Sequence, residues 1–392
     1  MSYQAVILVG GLGTRLRKIV TDVPKPMAQI ENKPFLEYLI RLLKENGFKR
    51  FLFLTGYKSG NIESYFKNGE DFGIKIDYAR ETEPLGTGGA IFNAWGKLDD
   101  EFFLINGDTF FDIQYEILFN FIEDKNSDSL IALRYSNDIS RYGFVKIDNE
   151  YQIKDFIEKS KLPNNCVDGY INGGVYYFKK CLLENFYKKY SNKKVSLENE
   201  ILPYMVSNKK VFGLPVGGKF IDIGVPEDYL KAQKLIPLIL KKERKPTLFV
   251  DRDGTIIEDK GYFYGSDFVL KKETIKIMKK AQQEGKLIII ITNQAGIAKG
   301  EFTEKESIET TEYLIKILKE YGINIDGYYY CPYHEEGIIE KYKKNSLLRK
   351  PEPGMILKAC EDFRIDLKNS VMIGDNDKID KIKLCYLHSE II

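Results

Sequence analysis

The sequence predicts an α/β protein with mixed, mostly parallel sheets, laid out as two successive series of elements. Short apolar, β-rich runs alternate with segments of helical periodicity, the pattern of strands joined by crossover helices. At 392 residues the chain exceeds one ordinary core. Between the two series, Leu238 to Pro246 shifts from apolar to charged and ends on a proline. The expected divisions are therefore residues 1–236, a linker at 237–246, and residues 247–392.

In the first series the strand-like runs are Ala5 to Val9, Phe51 to Leu54, Phe102 to Ile105 and Leu130 to Leu133. Between the first two, Lys33 to Asn46 reads as a helix. Phe35, Leu39, Leu42 and Leu43 share one face, Pro34 sits near the first turn, and Gly47 is a natural stop. The second series opens with a buried strand, Thr247 to Val250. A helix at Glu273 to Gln283, a strand at Leu287 to Ile291, a helix at Glu304 to Glu320 and a late strand at Val371 to Ile373 follow. Twelve residues remain after Asp380, room for one short helix and a strand, so an abbreviated end to the second sheet is expected.

Bulk properties narrow the function classes. Hydrophobic residues at 43% and charged residues at 30% describe a globular protein, and 59 basic against 57 acidic residues leave a net charge of +2. Neither sign dominates the long-range field, which argues against wholesale nucleic-acid or anionic-membrane binding. The longest apolar runs are strand-sized, and the N-terminus goes straight into a short apolar stretch with no basic n-region and no small-residue cleavage site. Five widely spaced cysteines make no disulfide framework. A cytoplasmic location is the expectation, with a homo-oligomer left open.

Two groups of residues carry chemistry. In the first series, strand Ala5 to Val9 runs into Gly10-Gly11-Leu12-Gly13-Thr14-Arg15-Leu16. Glycines directly after a buried strand let backbone N–H groups close on phosphate oxygens, and Arg15 adds a permanent cation. Leu16 stands where a dinucleotide fingerprint has its third glycine, and no Gly-Lys-Ser/Thr of a P-loop follows. Lys25 lies between two prolines in Pro24-Lys25-Pro26-Met27. Glu83 to Ala90 forms a second glycine-rich loop, Asn106-Gly107-Asp108 ends a strand on a carboxylate, and Asp222 stands in Ile221-Asp222-Ile223-Gly224. Open α/β sheets bind ligands at the carboxyl ends of their strands.

This order, with Glu158-Lys159 and Asn172-Gly173-Gly174, resembles the sugar-phosphate nucleotidyltransferases over residues 4 to about 230. The resemblance implies a Rossmann-like fold and Mg²⁺ held by Asp108 and Asp222. Arg15 and Lys25 would neutralise charge at the α-phosphate and the leaving pyrophosphate. Gly10, Gly11, Gly13, Thr14, Glu83, Gly86, Thr87, Asn106 and Asp108 would bind the nucleotide. Gly143, Glu158, Lys159, Asn172 and Gly173 would hold the sugar and its phosphate.

In the second series, strand Thr247 to Val250 ends in Asp251-Arg252-Asp253-Gly254-Thr255. Two carboxylates two residues apart at a strand end can share one Mg²⁺ and divide labour, one attacking phosphorus and the other handling a proton. Thr292-Asn293-Gln294 at the next strand end supplies a hydroxyl and amides. Arg349-Lys350-Pro351 supplies cations, and Gly374-Asp375 closes the set, with Asp377 and Asp380 close behind.

These residues resemble the haloacid-dehalogenase phosphatases over residues 247–392, and within them the histidinol-phosphate and heptose-bisphosphate phosphatase branch. The resemblance implies Asp251 as nucleophile, Asp253 as general acid/base, and Thr292 and Lys350 holding the transferring phosphoryl group. Asp251, Asp253 and Asp375 would serve Mg²⁺, and Asn293 and Arg349 would contact the sugar phosphate. Asp380 fits the wider of the family's two spacings for a final carboxylate, with Asp377 its competitor. The branch's zinc loop departs from its pattern: Cys331 and His334 are present, but Ser346-Leu347-Leu348 replaces the later cysteine pair. Structural zinc, which wants four such ligands, is not expected.

Together the two resemblances imply a bifunctional enzyme of nucleotide-sugar synthesis acting on a nucleoside triphosphate and sugar phosphates. The first domain is most similar to the D-glycero-α-D-manno-heptose 1-phosphate guanylyltransferases. The expected reactions are removal of the 7-phosphate of the heptose 1,7-bisphosphate and transfer of GMP from GTP to the heptose 1-phosphate. A mannose or hexose 1-phosphate enzyme, using GTP or UTP and joined to a broad or catalytically silent phosphatase-like module, is the alternative.

Overall fold

The computed structural model describes residues 3–11, 23–137, 144–157, 168–191, 193–262 and 264–392. Two compact units part in sequence after Lys242, with residues 135–137 and 168–169 grouped with the second. The helix Pro226–Lys241 runs through the first half of the expected linker at 237–246. Its buried face of Tyr229, Ala232 and Ile236 keeps the helix going through Pro237, whose missing N–H and ring clash would otherwise end it.

The first unit is built on a nine-stranded sheet. Four strands pair in parallel at its heart: β1 (Gln4–Leu8), β2 (Arg50–Thr55), β3 (Lys75–Arg80) and β4 (Glu101–Asn106), in the spatial order β4-β1-β2-β3. β1, β2 and β4 are buried almost end to end, as strands covered on both faces must be. β3 is the edge strand and alternates instead, which hid it from a search for apolar runs.

The sheet continues through β5 (Ser129–Ser136), β6 (Phe144–Ile147), β7 (Ile153–Ile157), β8 (Gly169–Lys179) and β9 (Phe212–Pro215). β8 runs antiparallel to β4, and β6 and β7 follow it outward, so the sheet is mixed. The expected helix at 33–46 is found at Phe35–Glu45, while Lys33–Pro34 pairs with Gln29–Ile30 in a small ribbon.

The second unit holds a five-stranded, wholly parallel sheet: β10 (Thr247–Val250), β11 (Leu287–Asn293), β12 (Gly327–Cys331), β13 (Val371–Gly374) and β14 (His388–Ile391). Their order is β12-β11-β10-β13-β14. The helices Lys272–Gln283 and Glu304–Glu320 connect strands of this sheet, and Ile275, Met278, Leu314 and Leu318 pack into its core. Thr303 and Glu306 close a reciprocal capping box at the start of the second helix. Among the described residues, no helix is long and apolar enough to cross a membrane.

Beneath the first sheet an aromatic cluster fixes how β4 meets its helical cover. The fully buried Phe103 ring lies 5.3 Å from Tyr3, 5.6 Å from Phe48, 5.4 Å from Phe119 and 5.4 Å from Tyr177 between centroids. Phe103→Ala removes the shared partner of five rings, Tyr115 being the fifth, and leaves a cavity, an expected loss of about 3–5 kcal/mol. The single tryptophan, Trp95, belongs to this unit, so its fluorescence during urea unfolding should show the lowered midpoint.

Candidate active sites

A cavity of about 440 Å³ opens at the carboxyl ends of the first unit's parallel strands. Gly10 and Gly11 after β1, Asn106 and Asp108 after β4, Lys25, Gly86 and Thr87 line it, together with Glu81, Lys194, Glu198 and Gly224. Every nucleotide-loop residue among the described ones except Glu83 is therefore on its wall.

At one end, two carboxylates far apart in sequence converge on one ammonium. The Lys25 Nζ lies 2.5 Å from Asp108 Oδ2 and 3.4 Å from Asp222 Oδ1. A two-stranded ribbon makes the meeting: Thr109–Phe111 pairs antiparallel with Phe220–Asp222, with Asp222 opposite Thr109. The Ile223 N–H then donates to the Asp108 carbonyl at 3.1 Å. Asp222 Oδ1 also accepts from Gly224 N at 2.7 Å, and Asp108 Oδ1 from the Thr109 hydroxyl at 3.2 Å. A Cβ on Gly224 would lie 2.1 Å from Lys25 Nζ, so a side chain there would displace the ammonium from this position. Two hard carboxylates at one end of the cavity are the donor set that suits Mg²⁺.

The second glycine loop is held by the segment around Val195 to Glu198. Gly88 N and Gly89 N donate to the Val195 carbonyl at 3.0 and 3.2 Å, and the Thr87 hydroxyl donates to Glu198 Oε2 at 2.6 Å. Glu198 belongs to a π-helical turn, Leu197–Ile201, whose Leu197 N–H returns a bond to Thr87 Oγ1 at 2.8 Å. Glu83 is exposed, whereas Glu81 turns its carboxylate toward the cavity and accepts from Leu85 N at 3.2 Å. Burial pushes the Glu81 carboxyl above the usual range, with the Leu85 N–H opposing.

On β8, Asn172 donates through Nδ2 to Tyr176 OH at 2.8 Å and accepts from Gly174 N at 2.9 Å. Gly173 packs against Phe111 of the ribbon. Gly13, Thr14, Arg15, Gly143, Glu158 and Lys159 lie outside the described residues.

In the second unit, the site again forms at strand ends. Lys350 is buried, with Nζ 2.6 Å from Asp251 Oδ1 after β10 and 2.5 Å from Asp380 Oδ1. Asp380 Oδ2 accepts from Asn376 N at 3.1 Å. Asp377 is exposed and paired with Lys381, so the carboxylate that reaches the centre is Asp380. Single oxygens of Asp251, Asp375 and Asp380 lie within 4.8 Å of one another, a cluster of hard donors that fits Mg²⁺. Burial pushes the Asp251 carboxyl well above the ordinary range, with the Lys350 charge opposing, and burial also raises Asp375.

Asp253, expected to serve the metal as well, turns its carboxylate elsewhere. The fully buried Arg252 grips it through Nε and NH2 at 3.0 and 2.9 Å, and Gln294 Nε2 donates to it at 2.7 Å. The Thr292 hydroxyl stands 3.4 Å from the same carboxylate. This leaves Asp253 beside the clustered aspartates as a separate, oriented acid. Asn293, expected to contact substrate, clamps the Lys350 backbone: Oδ1 accepts from Lys350 N at 3.0 Å, and Nδ2 donates to its carbonyl at 3.1 Å. Arg349 leans on the Tyr333 carbonyl at 3.5 Å.

Cys331 is wholly buried and its thiol is pushed up to about 12 by burial, while His334 Nδ1 accepts from Glu336 N at 3.1 Å. Both turn to groups of their own loop. Sequence reasoning missed Glu81, Glu198, Lys194 and Arg252. The first follows an unrecognised edge strand, the next two lie on a segment that carries no motif, and Arg252 reads as a spacer between aspartates.

Comparison with known proteins agrees with both halves. The family described as nucleotidyl transferase matches residues 4–237, and that described as polynucleotide kinase 3 phosphatase matches residues 246–383. The D-glycero-alpha-D-manno-heptose 1-phosphate guanylyltransferase of Aneurinibacillus thermoaerophilus is 43% identical over 234 residues, 59% of this chain and 97% of that protein. The protein of the same name from Campylobacter jejuni subsp. jejuni is 43% identical over 226 residues, 58% of this chain and 96% of its own length. The crystal structure of HddC from Yersinia pseudotuberculosis complexed with GMP-PN aligns with a TM-score of 0.51 at 37% identity, covering 59% of this chain and 98% of that one. With its first match running from β1 through most of the helix that closes the first unit, more than half its length, the chain belongs to the nucleotidyl transferase family and carries a phosphatase-type domain behind it.

Proposed function

We propose that the chain performs two consecutive steps of nucleotide-sugar synthesis: it dephosphorylates D-glycero-α-D-manno-heptose 1,7-bisphosphate at O7, then couples the resulting 1-phosphate to GMP from GTP. The observation that carries this reading is 43% identity to heptose 1-phosphate guanylyltransferases across nearly their whole length, in a chain that adds a buried Asp251–Lys350–Asp380 centre. A sugar bisphosphate phosphatase makes what a sugar-1-phosphate nucleotidyltransferase consumes.

In the first site the sugar-phosphate oxygen attacks the α-phosphorus in line, and the bond to pyrophosphate breaks. The protein's task is positioning and charge. Lys25 is held beside the phosphate end by its two carboxylates and stabilises the charge that accumulates there. In the second site Asp251 attacks the 7-phosphoryl group and forms an aspartyl phosphate. Asp253, oriented by Arg252 and Gln294, protonates the departing sugar oxygen. It then takes a proton from the water that releases phosphate, and Lys350 balances the charge of the buried pair. Mg²⁺, when bound by Asp108 with Asp222 and by Asp251 with Asp375 and Asp380, supplies charge neutralisation at phosphate oxygens.

The direct test is one incubation with the heptose 1,7-bisphosphate, GTP and Mg²⁺, read by mass spectrometry. GDP-heptose with released phosphate and pyrophosphate is expected. GDP-mannose made from mannose 1-phosphate in parallel, with no GDP-heptose, would overturn the sugar assignment. Asp251→Asn should abolish phosphate release and leave coupling of supplied heptose 1-phosphate at its original rate. A joint loss of both activities would refute two independent sites. Lys25→Met should do the converse, lowering nucleotidyl transfer by roughly 100-fold or more while phosphate release continues.

A further inference from the structure

Arg349 and Lys350 reach the second site on a long loop, and a long loop must be held to present side chains in one place. From Pro332 to Lys350 the chain is irregular except at the 3-10 turn Glu340–Tyr342. Its outward half is pinned by backbone: Ile338 N and Ile339 N donate to the Ala298 carbonyl at 2.8 and 3.0 Å. The returning half is met by a side chain from outside the loop, Glu304, the first residue of the helix Glu304–Glu320.

Both oxygens of that carboxylate are engaged. Oε1 accepts from Tyr330 OH of β12 at 3.0 Å, and Oε2 accepts from Tyr342 OH of the loop at 2.7 Å. Lys341 Nζ stands 3.5 Å from Oε2 and itself donates to Tyr342 OH at 2.9 Å. Burial opposes the charge, but the two hydroxyls and Lys341 outweigh it and hold the carboxyl below its ordinary range. The first turn of a helix favours a negative charge as well. From Tyr342 the order passes along the loop. Its carbonyl accepts from His334 N at 3.1 Å, and its ring lies 6.2 Å from the Tyr333 ring between centroids. The Tyr333 carbonyl in turn accepts from the Arg349 guanidinium at 3.5 Å.

We infer that Glu304 is a positioning residue of the phosphatase, a carboxylate hub that holds the loop so that Arg349 faces the phosphate the substrate keeps. The inference rests on the two-step reading above, in which a bisphosphate loses one phosphate while the other still carries its charge. Among the described residues the Arg349 guanidinium makes that one long hydrogen bond, and its fork has further N–H groups to give. Cys331 and His334, the loop's two metal-type ligands, are turned to groups of the loop itself, and a carboxylate does the holding. Lys350 is fixed separately, through the Asn293 clamp on its backbone, so the reacting centre does not depend on Glu304. Loosening the loop therefore weakens the grip on a bisphosphate and spares the chemistry.

The test compares the full-length protein with Glu304→Gln and Tyr342→Phe on two substrates, the heptose 1,7-bisphosphate and p-nitrophenyl phosphate, which has no second phosphate. Gln keeps the length but sets an amide donor against a hydroxyl or an ammonium, and Phe keeps the ring without the bond. KM for the bisphosphate should rise by about 10-fold or more in both variants, with kcat nearly unchanged. Both constants for p-nitrophenyl phosphate should stay at wild-type values, which also shows that the variants are folded. A merely structural role would lower activity on both substrates together. That result, or an unchanged KM for the bisphosphate, overturns the inference. A zinc chelator in Mg²⁺-containing buffer should leave the wild-type KM where it was, and a rise would give the holding role to a metal instead. A wild-type protein inactive on the heptose bisphosphate sinks the heptose reading, and this inference with it.

Discussion

Carboxylates gathered to handle phosphate repel one another, and the protein answers this in the same way in both units, with one lysine between two aspartates. Lys25 joins Asp108 to Asp222, and Lys350 joins Asp251 to Asp380. Each pair is drawn from distant sequence, by 114 residues in the first case (222 − 108) and 129 in the second (380 − 251). In the second unit the cluster is buried, where an ionised carboxylate without a partner is strongly disfavoured, so the Lys350 ammonium is a condition for that cluster to exist. The lysine also ties the chain segments together. Lys350 depends on Asn293 clamping its backbone, and Lys25 fits because residue 224 is glycine.

Both arrangements form at the carboxyl ends of parallel strands, where the backbone leaves the sheet and can turn toward a ligand. The first unit needs an added device, since Asp222 does not follow a strand of the main sheet. The ribbon between Thr109–Phe111 and Phe220–Asp222 supplies it, placing one aspartate just before a ribbon strand and the other at the end of its partner. The second unit needs no ribbon, because β10, β11 and β13 are immediate neighbours and their ends already converge.

Legibility followed burial for the strands that bear the site loops, although the equally buried β8 and β9 went unread. Strands β1, β2, β4, β10, β11 and β13 announce themselves as apolar runs because they are central, and the residues at their ends were readable as a consequence: Gly10, Asp108, Asp251, Thr292 and Asp375. Edge strands escaped. β3 alternates and β12 is the run Gly-Tyr-Tyr-Tyr-Cys, so neither stood out, and Glu81 was passed over for Glu83 in the neighbouring glycine motif. Residues acting through another side chain escaped too. Arg252 and Glu198 carry no motif, and their contacts exist only once the helix Glu304–Glu320 meets Arg252 and the turn Leu197–Ile201 meets Thr87.

The choice between lysine and arginine follows from the same geometry. An ammonium is a compact charge with three donors that can face two carboxylates from one point, and at Lys25 and Lys350 it does. A guanidinium is a planar fork suited to one carboxylate at a time. The protein uses that fork where a single acid must be aimed: Arg252 takes both oxygens of Asp253 and anchors its remaining arm on Thr311 at 2.9 Å. In the proposed phosphatase reaction, Asp251 would share a bridging cation that leaves it facing phosphorus, while Asp253 would be held in one direction for proton transfer. Two carboxylates two residues apart are held by different kinds of cation, and the proposed division of labour rests on that difference.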